Sequence, residues 1–153
     1  MIDHVSVAVR DLTDGERFYA AVLAPLGLAK LREWPEITIG FGKTYPEFWI
    51  NKRQTMQRAE ADSGAHICLR ARDTAAVDAF HAAALKAGGV SDGAPGPRPH
   101  YHESYYAAFI RDPDGNRIEA VTFMRDGAEY VVIPGPVVGG ISRAQRGTRV
   151  LRC

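Results

Sequence analysis

The stretches HVSVAVRD (residues 4–11) and HICLRARD (residues 66–73) decide the fold, because each opens one copy of a repeated pattern. Extended to residues 4–27 and 66–89, the copies align at an offset of 62 without a gap. His4 falls on His66, Asp11 on Asp73, Phe18 on Phe80, Leu23 on Leu85 and Gly27 on Gly89. A repeat of this size is one supersecondary unit used twice, each unit needing the other to bury its apolar face. Two histidines at equivalent points of paired units can meet at one place, which makes a metal site the first chemistry to test.

Outward from the first histidine, residues 2–9 alternate in the manner of a half-buried strand. Val5, Val7 and Val9 share one face, and His4, Ser6 and Ala8 the other. Thr13 and Glu16 have capping-box spacing for a helix carrying Phe18, Tyr19, Val22 and Leu23, which Pro25 and Gly27 stop. Extended runs follow at 28–34, 37–41 and 47–51, separated by turn signals around Pro35 and residues 42–46. The second unit repeats the order: a strand from His66, a helix with Val77, Phe80 and Ala84, then a loop rich in Gly and Pro (93–99). Tyr105–Arg111 and Arg117–Phe123 form a hairpin around Asp112-Pro-Asp-Gly-Asn116. The expected fold is therefore α+β, two paired βαβββ modules (about 1–53 and 64–124) making one domain with a cup-shaped mixed sheet. Residues 125–153 read as an irregular basic tail with one candidate strand at 129–133.

Bulk properties exclude several classes. The 153 residues suit one domain, and the net charge of +1 draws the chain neither to nucleic acid nor to an anionic membrane. The tail, with Arg125, Arg143, Arg146, Arg149 and Arg152 against Asp126 and Glu129, is the one region that would favour a phosphate or acidic partner, and its charge reads first as a solvated surface that aids solubility. Two cysteines, Cys68 in an apolar run and Cys153 at the end, do not make a secreted disulfide framework. No apolar window is long enough to span a membrane, so a soluble cytoplasmic protein is expected.

Strand parity selects the residues that can meet. If the valine face of the first strand lies under its helix, His4 points to the opposite, concave side, and His66 follows by the same rule. On the last strand Ile118 and Ala120 suit the helix side, which sends Glu119, Val121 and Phe123 into the concavity. Two imidazoles and a carboxylate suit Zn, Fe, Mn, Ni or Co without choosing among them. Cys68, beside His66, reads as a small core residue, and His81 as structural.

The strand opening at Met1 (MIDHVSVAV), Gly64-Ala-His66 and the run FIRDPDGNRIE (residues 109–119) together resemble the vicinal-oxygen-chelate superfamily. That superfamily holds glyoxalase I, extradiol dioxygenases and fosfomycin- and bleomycin-resistance proteins. The resemblance covers about residues 1–124 and implies a divalent metal held by His4, His66 and Glu119, which a small substrate chelates through neighbouring oxygens. Glyoxalase-like members carry a second carboxylate on the last strand of the first module. Here the equivalent count reaches Trp49, with Glu47 two residues earlier on the same face. Glu47 as fourth ligand implies lyase or isomerase chemistry with Glu119 or Glu47 moving the proton. Trp49 in that slot implies two histidines and one carboxylate, the set of ferrous ring-cleaving dioxygenases. A metal-free binding protein of the bleomycin-resistance type is the further alternative. Arg98, His100, His102, Tyr105, Trp49 and Phe123 are the expected substrate contacts; some relatives make their cups inside one chain and others exchange modules between chains, which leaves both a single-chain site and a homodimer open.

Overall fold

A computed structural model describes residues 2–59 and 63–124. The tail expectations, the candidate strand at 129–133 and Cys153 among them, lie outside the described residues. The first unit is β1 (Val5–Val9), α1 (Leu12–Leu23) with a short 3-10 turn (Ala24–Leu26), β2 (Ala29–Trp34), β3 (Thr38–Gly42) and β4 (Pro46–Lys52). The second is β5 (Ile67–Arg70), α2 (Thr74–Lys86), β6 (Val90–Pro97), β7 (Tyr105–Arg111) and β8 (Arg117–Phe123). Each unit forms a four-stranded mixed sheet, ordered β1-β4-β3-β2 and β5-β8-β7-β6, with β1–β4 and β5–β8 parallel. The architecture is the expected pair of βαβββ modules, although the two sheets remain separate rather than closing into one.

Both helices start on the aspartate that the repeat aligns. Asp11 accepts from the Asp14 amide at 2.8 Å and Asp73 from the Ala76 amide at 2.8 Å. The cap of α1 is therefore Asp11, not the Thr13–Glu16 box: its side chain already takes an orphan amide, and the helix begins two residues earlier. The Gly- and Pro-rich stretch expected as a loop contributes β6. It is an edge strand bonded to β7 alone, with register shifts, and an edge tolerates proline because one row of its amides needs no partner. Glycines also let side chains lie flat on it: a Cβ at Gly93 would meet the Phe109 ring at 2.9 Å.

Helix-facing parity is as expected. Val7, Val9, Phe48, Ile50, Ile110, Ile118 and Ala120 are buried with Phe18, Tyr19, Val22, Val77, Phe80 and Ala84. The core thus lies between each helix and its sheet and continues from α1 to α2. The modules are also tied by polar contacts through the β7–β8 turn. Tyr19 donates to Asp112 at 2.6 Å, Arg10 Nε to Asp114 at 2.6 Å, and the Asn116 side-chain amide to the Ala8 carbonyl at 2.8 Å. The motif that looks like a turn signal in sequence is thus also a clamp between halves.

Candidate functional site

With the helices on one side, the opposite face of the second sheet is left to carry chemistry. The β5–β8 register sets Cys68 beside Glu119 and Arg70 beside Val121, and the β7–β8 register sets Phe109 beside Glu119 and Tyr105 beside Phe123. Period-two alternation then puts His66, Cys68, Arg70, Tyr105, Phe109, Glu119 and Phe123 on one face. Glu119 is its centre and is 2% exposed. A buried carboxylate is costly unless its oxygens are satisfied, and both are. His66 Nε2 lies 3.0 Å from Oε2, and the Tyr105 hydroxyl donates to Oε1 at 2.6 Å. The rings wall it in: His66 meets Phe109 edge-on at 6.2 Å, and Tyr105 meets Phe123 edge-on at 5.3 Å.

The surroundings shift the neighbouring acids in one direction. Burial, then the hydrogen bond to Glu119, holds the Tyr105 hydroxyl well above its ordinary value, so it is a firm donor. Burial and the adjacent Glu119 charge push the Cys68 thiol up to about 12, although the residue as a whole is exposed. That thiol is therefore protonated and not a nucleophile at neutral pH, as expected, but it is not a core residue: it lies exposed on the open sheet face, because its strand parity turns it away from the helix side.

The other expected residues divide between two places. His102 bonds Ser104 through Nδ1 at 2.9 Å and meets Phe123 edge-on at 6.0 Å, which puts it at the Tyr105 end of the same face. His100 is exposed against Tyr101, whose ring packs on Tyr105 at 5.4 Å. Arg98 turns back over β6, giving Nη1 to the Pro97 carbonyl and Nη2 to the Ala94 carbonyl, with its guanidinium 5.7 Å from the Phe109 ring. His4, Glu47 and Trp49 belong to the first sheet. His4 precedes β1, is half exposed and pairs with Asp3 at 2.8 Å. Glu47 accepts from the Lys43 amide at 3.3 Å, and Trp49 stacks on Trp34 at 5.4 Å across Gly40.

Register resolves which first-module residue is equivalent to Glu119. Val5 faces Phe48 as Ile67 faces Ile118, so the next residue, Trp49, stands where Glu119 stands. Imidazole nitrogen with carboxylate oxygen is the donor chemistry a divalent metal takes. Among the described residues, however, no group of three His, Cys, Asp or Glu side chains is arranged to hold an ion. One chain brings together His66 and Glu119, one donor short of the smallest set that such sites use. Arg70 and Phe109 are site-face residues that the sequence reading did not single out. The signal for Arg70 was present, since it shares strand parity with His66.

The family described as Glyoxalase/Bleomycin resistance protein/Dioxygenase superfamily matches residues 1–120. Among solved structures, a glyoxalase/bleomycin resistance protein from Albidiferax ferrireducens is 32% identical, covers 78% of this chain and 96% of its own, with a TM-score of 0.68. A lactoylglutathione lyase from Agrobacterium tumefaciens is 24% identical (79% and 92% covered, TM-score 0.56), which shows likeness of fold. The same holds for a fosfomycin resistance protein from Mesorhizobium loti at 19% identity (81% and 92% covered, TM-score 0.59). No curated protein matches.

Proposed function

The chain belongs to the glyoxalase/bleomycin resistance protein/dioxygenase superfamily, and from that premise we propose that it is a metal-dependent enzyme of lyase or isomerase type. Its substrate is a small oxygen-bearing molecule, met in the cytoplasm. The observation that carries the reading is the buried Glu119 carboxylate, held between an imidazole and a tyrosine hydroxyl on an otherwise open sheet face. In this reading His66 and Glu119 supply two donors to a divalent ion, one of Zn, Fe, Ni, Mn or Co, and His4 supplies the third. A second copy of the chain provides that His4, because each chain's two modules join through the Tyr19–Asp112 and Arg10–Asp114 contacts rather than through the site faces. When bound, the metal supplies Lewis acidity toward a substrate oxygen.

The rest is done by the chain's own groups. The Tyr105 O–H fixes one oxygen of Glu119 and so sets the direction in which that carboxylate takes up or returns a proton. Glu47, on the first sheet, is the alternative proton acceptor. Trp49 and Phe123 border the substrate, while Arg98, His100 and His102 line the Tyr105 and Phe109 flanks of the face. One observation favours a second reading. With Trp49 at the position equivalent to Glu119, the donor set is two histidines and one carboxylate, which suits a ring-cleaving dioxygenase.

Elemental analysis of purified wild-type and His66→Ala chains tests the metal. Near-stoichiometric metal lost on substitution is expected, and equal content in both would refute the assignment. Mixing His4→Ala with Glu119→Ala chains tests the shared site, because a mixed dimer regains one complete donor set while neither parent has any. Oxygen uptake with a catechol under ferrous conditions separates the dioxygenase reading from the lyase one.

A further inference from the structure

The geometry points to Arg70 as the recognition residue for an oxyanion on the substrate, a carboxylate or phosphonate carried beside the oxygens that reach His66 and Glu119. Three observations support it. Arg70 leaves β5 on the same side as His66 and Cys68, two residues beyond Cys68, which itself faces Glu119 in register. One such step along a strand is about 7 Å, a distance a small molecule bridges. Its guanidinium rests on the Phe123 ring at 4.4 Å, which fixes the plane of the fork without using its N–H groups. Among the described residues no carboxylate or carbonyl pairs with those groups, and Arg70 is exposed.

The contrast with the other arginines of that face is informative. Arg98 is spent on the carbonyls of Ala94 and Pro97. Arg111 and Arg117 share Asp92, at 3.0 Å and 2.7 Å from their Nε atoms. Among the described residues the strand face thus carries these four guanidiniums against the carboxylates of Asp92 and Glu119, in a chain whose net charge is +1. An exposed cationic surface with an unfilled planar fork suits bidentate recognition of an oxyanion. A cationic substrate would set like charge against Arg70, and a neutral one would leave its fork without an anionic partner. The inference rests on His66 and Glu119 marking the reaction centre, and it names what the far end of the substrate carries.

The test titrates the full-length, nitrogen-15-labelled chain with methylphosphonate and with propionate, using neutral dimethyl methylphosphonate as control. The reporter is the side-chain Nε–H resonance of Arg70, identified by its disappearance in Arg70→Gln. A saturable shift with the anions and none with the neutral ester is expected; the tighter of the two anions names the headgroup. Followed in all variants through the backbone amide resonances of β5 and β8, Arg70→Gln should weaken binding by about tenfold or more, and Arg70→Lys, which keeps the charge without the fork, should fall between. Equal affinity in Arg70→Gln, or shifts confined to Arg98, Arg111 and Arg117, would overturn the inference. The same titration on His66→Ala separates this result from the metal reading, because the guanidinium needs no ion to bind. Anion binding retained in that variant supports Arg70 whatever the metal content proves to be.

Discussion

Tyr19→Phe removes one oxygen from the middle of the molecule and should be costly for its size. Tyr19 is 0% exposed, and its hydroxyl donates to Asp112 at 2.6 Å. Asp112, 1% exposed, also accepts from the amides of Asp114 at 3.0 Å and Asn116 at 2.7 Å, and from the Asn116 side chain at 2.7 Å. Four donors are what make a buried carboxylate tolerable. Losing one charge-assisted hydrogen bond costs about 1.5–3 kcal/mol. At about 2–4 °C per kcal/mol for a chain of this size, the melting temperature falls by roughly 3–12 °C. The pH dependence has a definite sign. Burial raises the Asp112 carboxyl above its ordinary range, while the bond from Tyr19 opposes that rise. Tyr19 therefore stabilises the ionised form more than the protonated one, and its contribution is full above the folded pKa and shrinks as pH falls through it. Asp112 itself runs the other way: its raised folded pKa means its own contribution falls as pH climbs through that window. Thermal unfolding of wild type and Tyr19→Phe near neutral pH and near about pH 4 reads both effects. A melting temperature within about 1 °C of wild type at neutral pH, or a gap that widens on acidification, would refute the reasoning.

Four further outcomes are expected. With its thiol pushed up to about 12 from an ordinary 9.0, Cys68 should alkylate about a thousandfold more slowly than an unstructured cysteine peptide near neutral pH; mass spectrometry after iodoacetamide treatment checks this, and labelling at the peptide's rate would contradict it. Tyr105→Phe should weaken metal retention about 10- to 100-fold against a chelator, since it frees one oxygen of Glu119; an unchanged competition curve would remove Tyr105 from any positioning role. Gly42→Ala would drive a Cβ into the Tyr45 carbonyl in the β3–β4 turn and should cost about 1–3 kcal/mol in urea unfolding. Gly64→Ala, with open space but φ +73, should cost only the backbone strain of about 1 kcal/mol.

The sequence by itself determined the two-module plan, the strand faces and the identity of the central carboxylate. Those follow from local rules: alternation along β1, β5 and β8, and a repeat offset that needs no gap. The His4–His66 alignment specifies equivalent places in two modules, but equivalence is not proximity. Whether equivalent points meet depends on which faces the modules turn toward each other, and that is set by long-range contacts such as Tyr19 with Asp112 and Arg10 with Asp114. Tertiary structure alone decided that Glu119 is wrapped by His66 and Tyr105 while His4 pairs with Asp3. It also decided that a Pro- and Gly-rich stretch is an edge strand, and that Arg70 rests on Phe123 while Arg98 folds back on its own strand. Apart from the local bonds of His4 and Arg98, these outcomes turn on neighbours distant in sequence. Composition and spacing carry no trace of such neighbours, because they depend on which face of each sheet the helices cover and how the two modules pack.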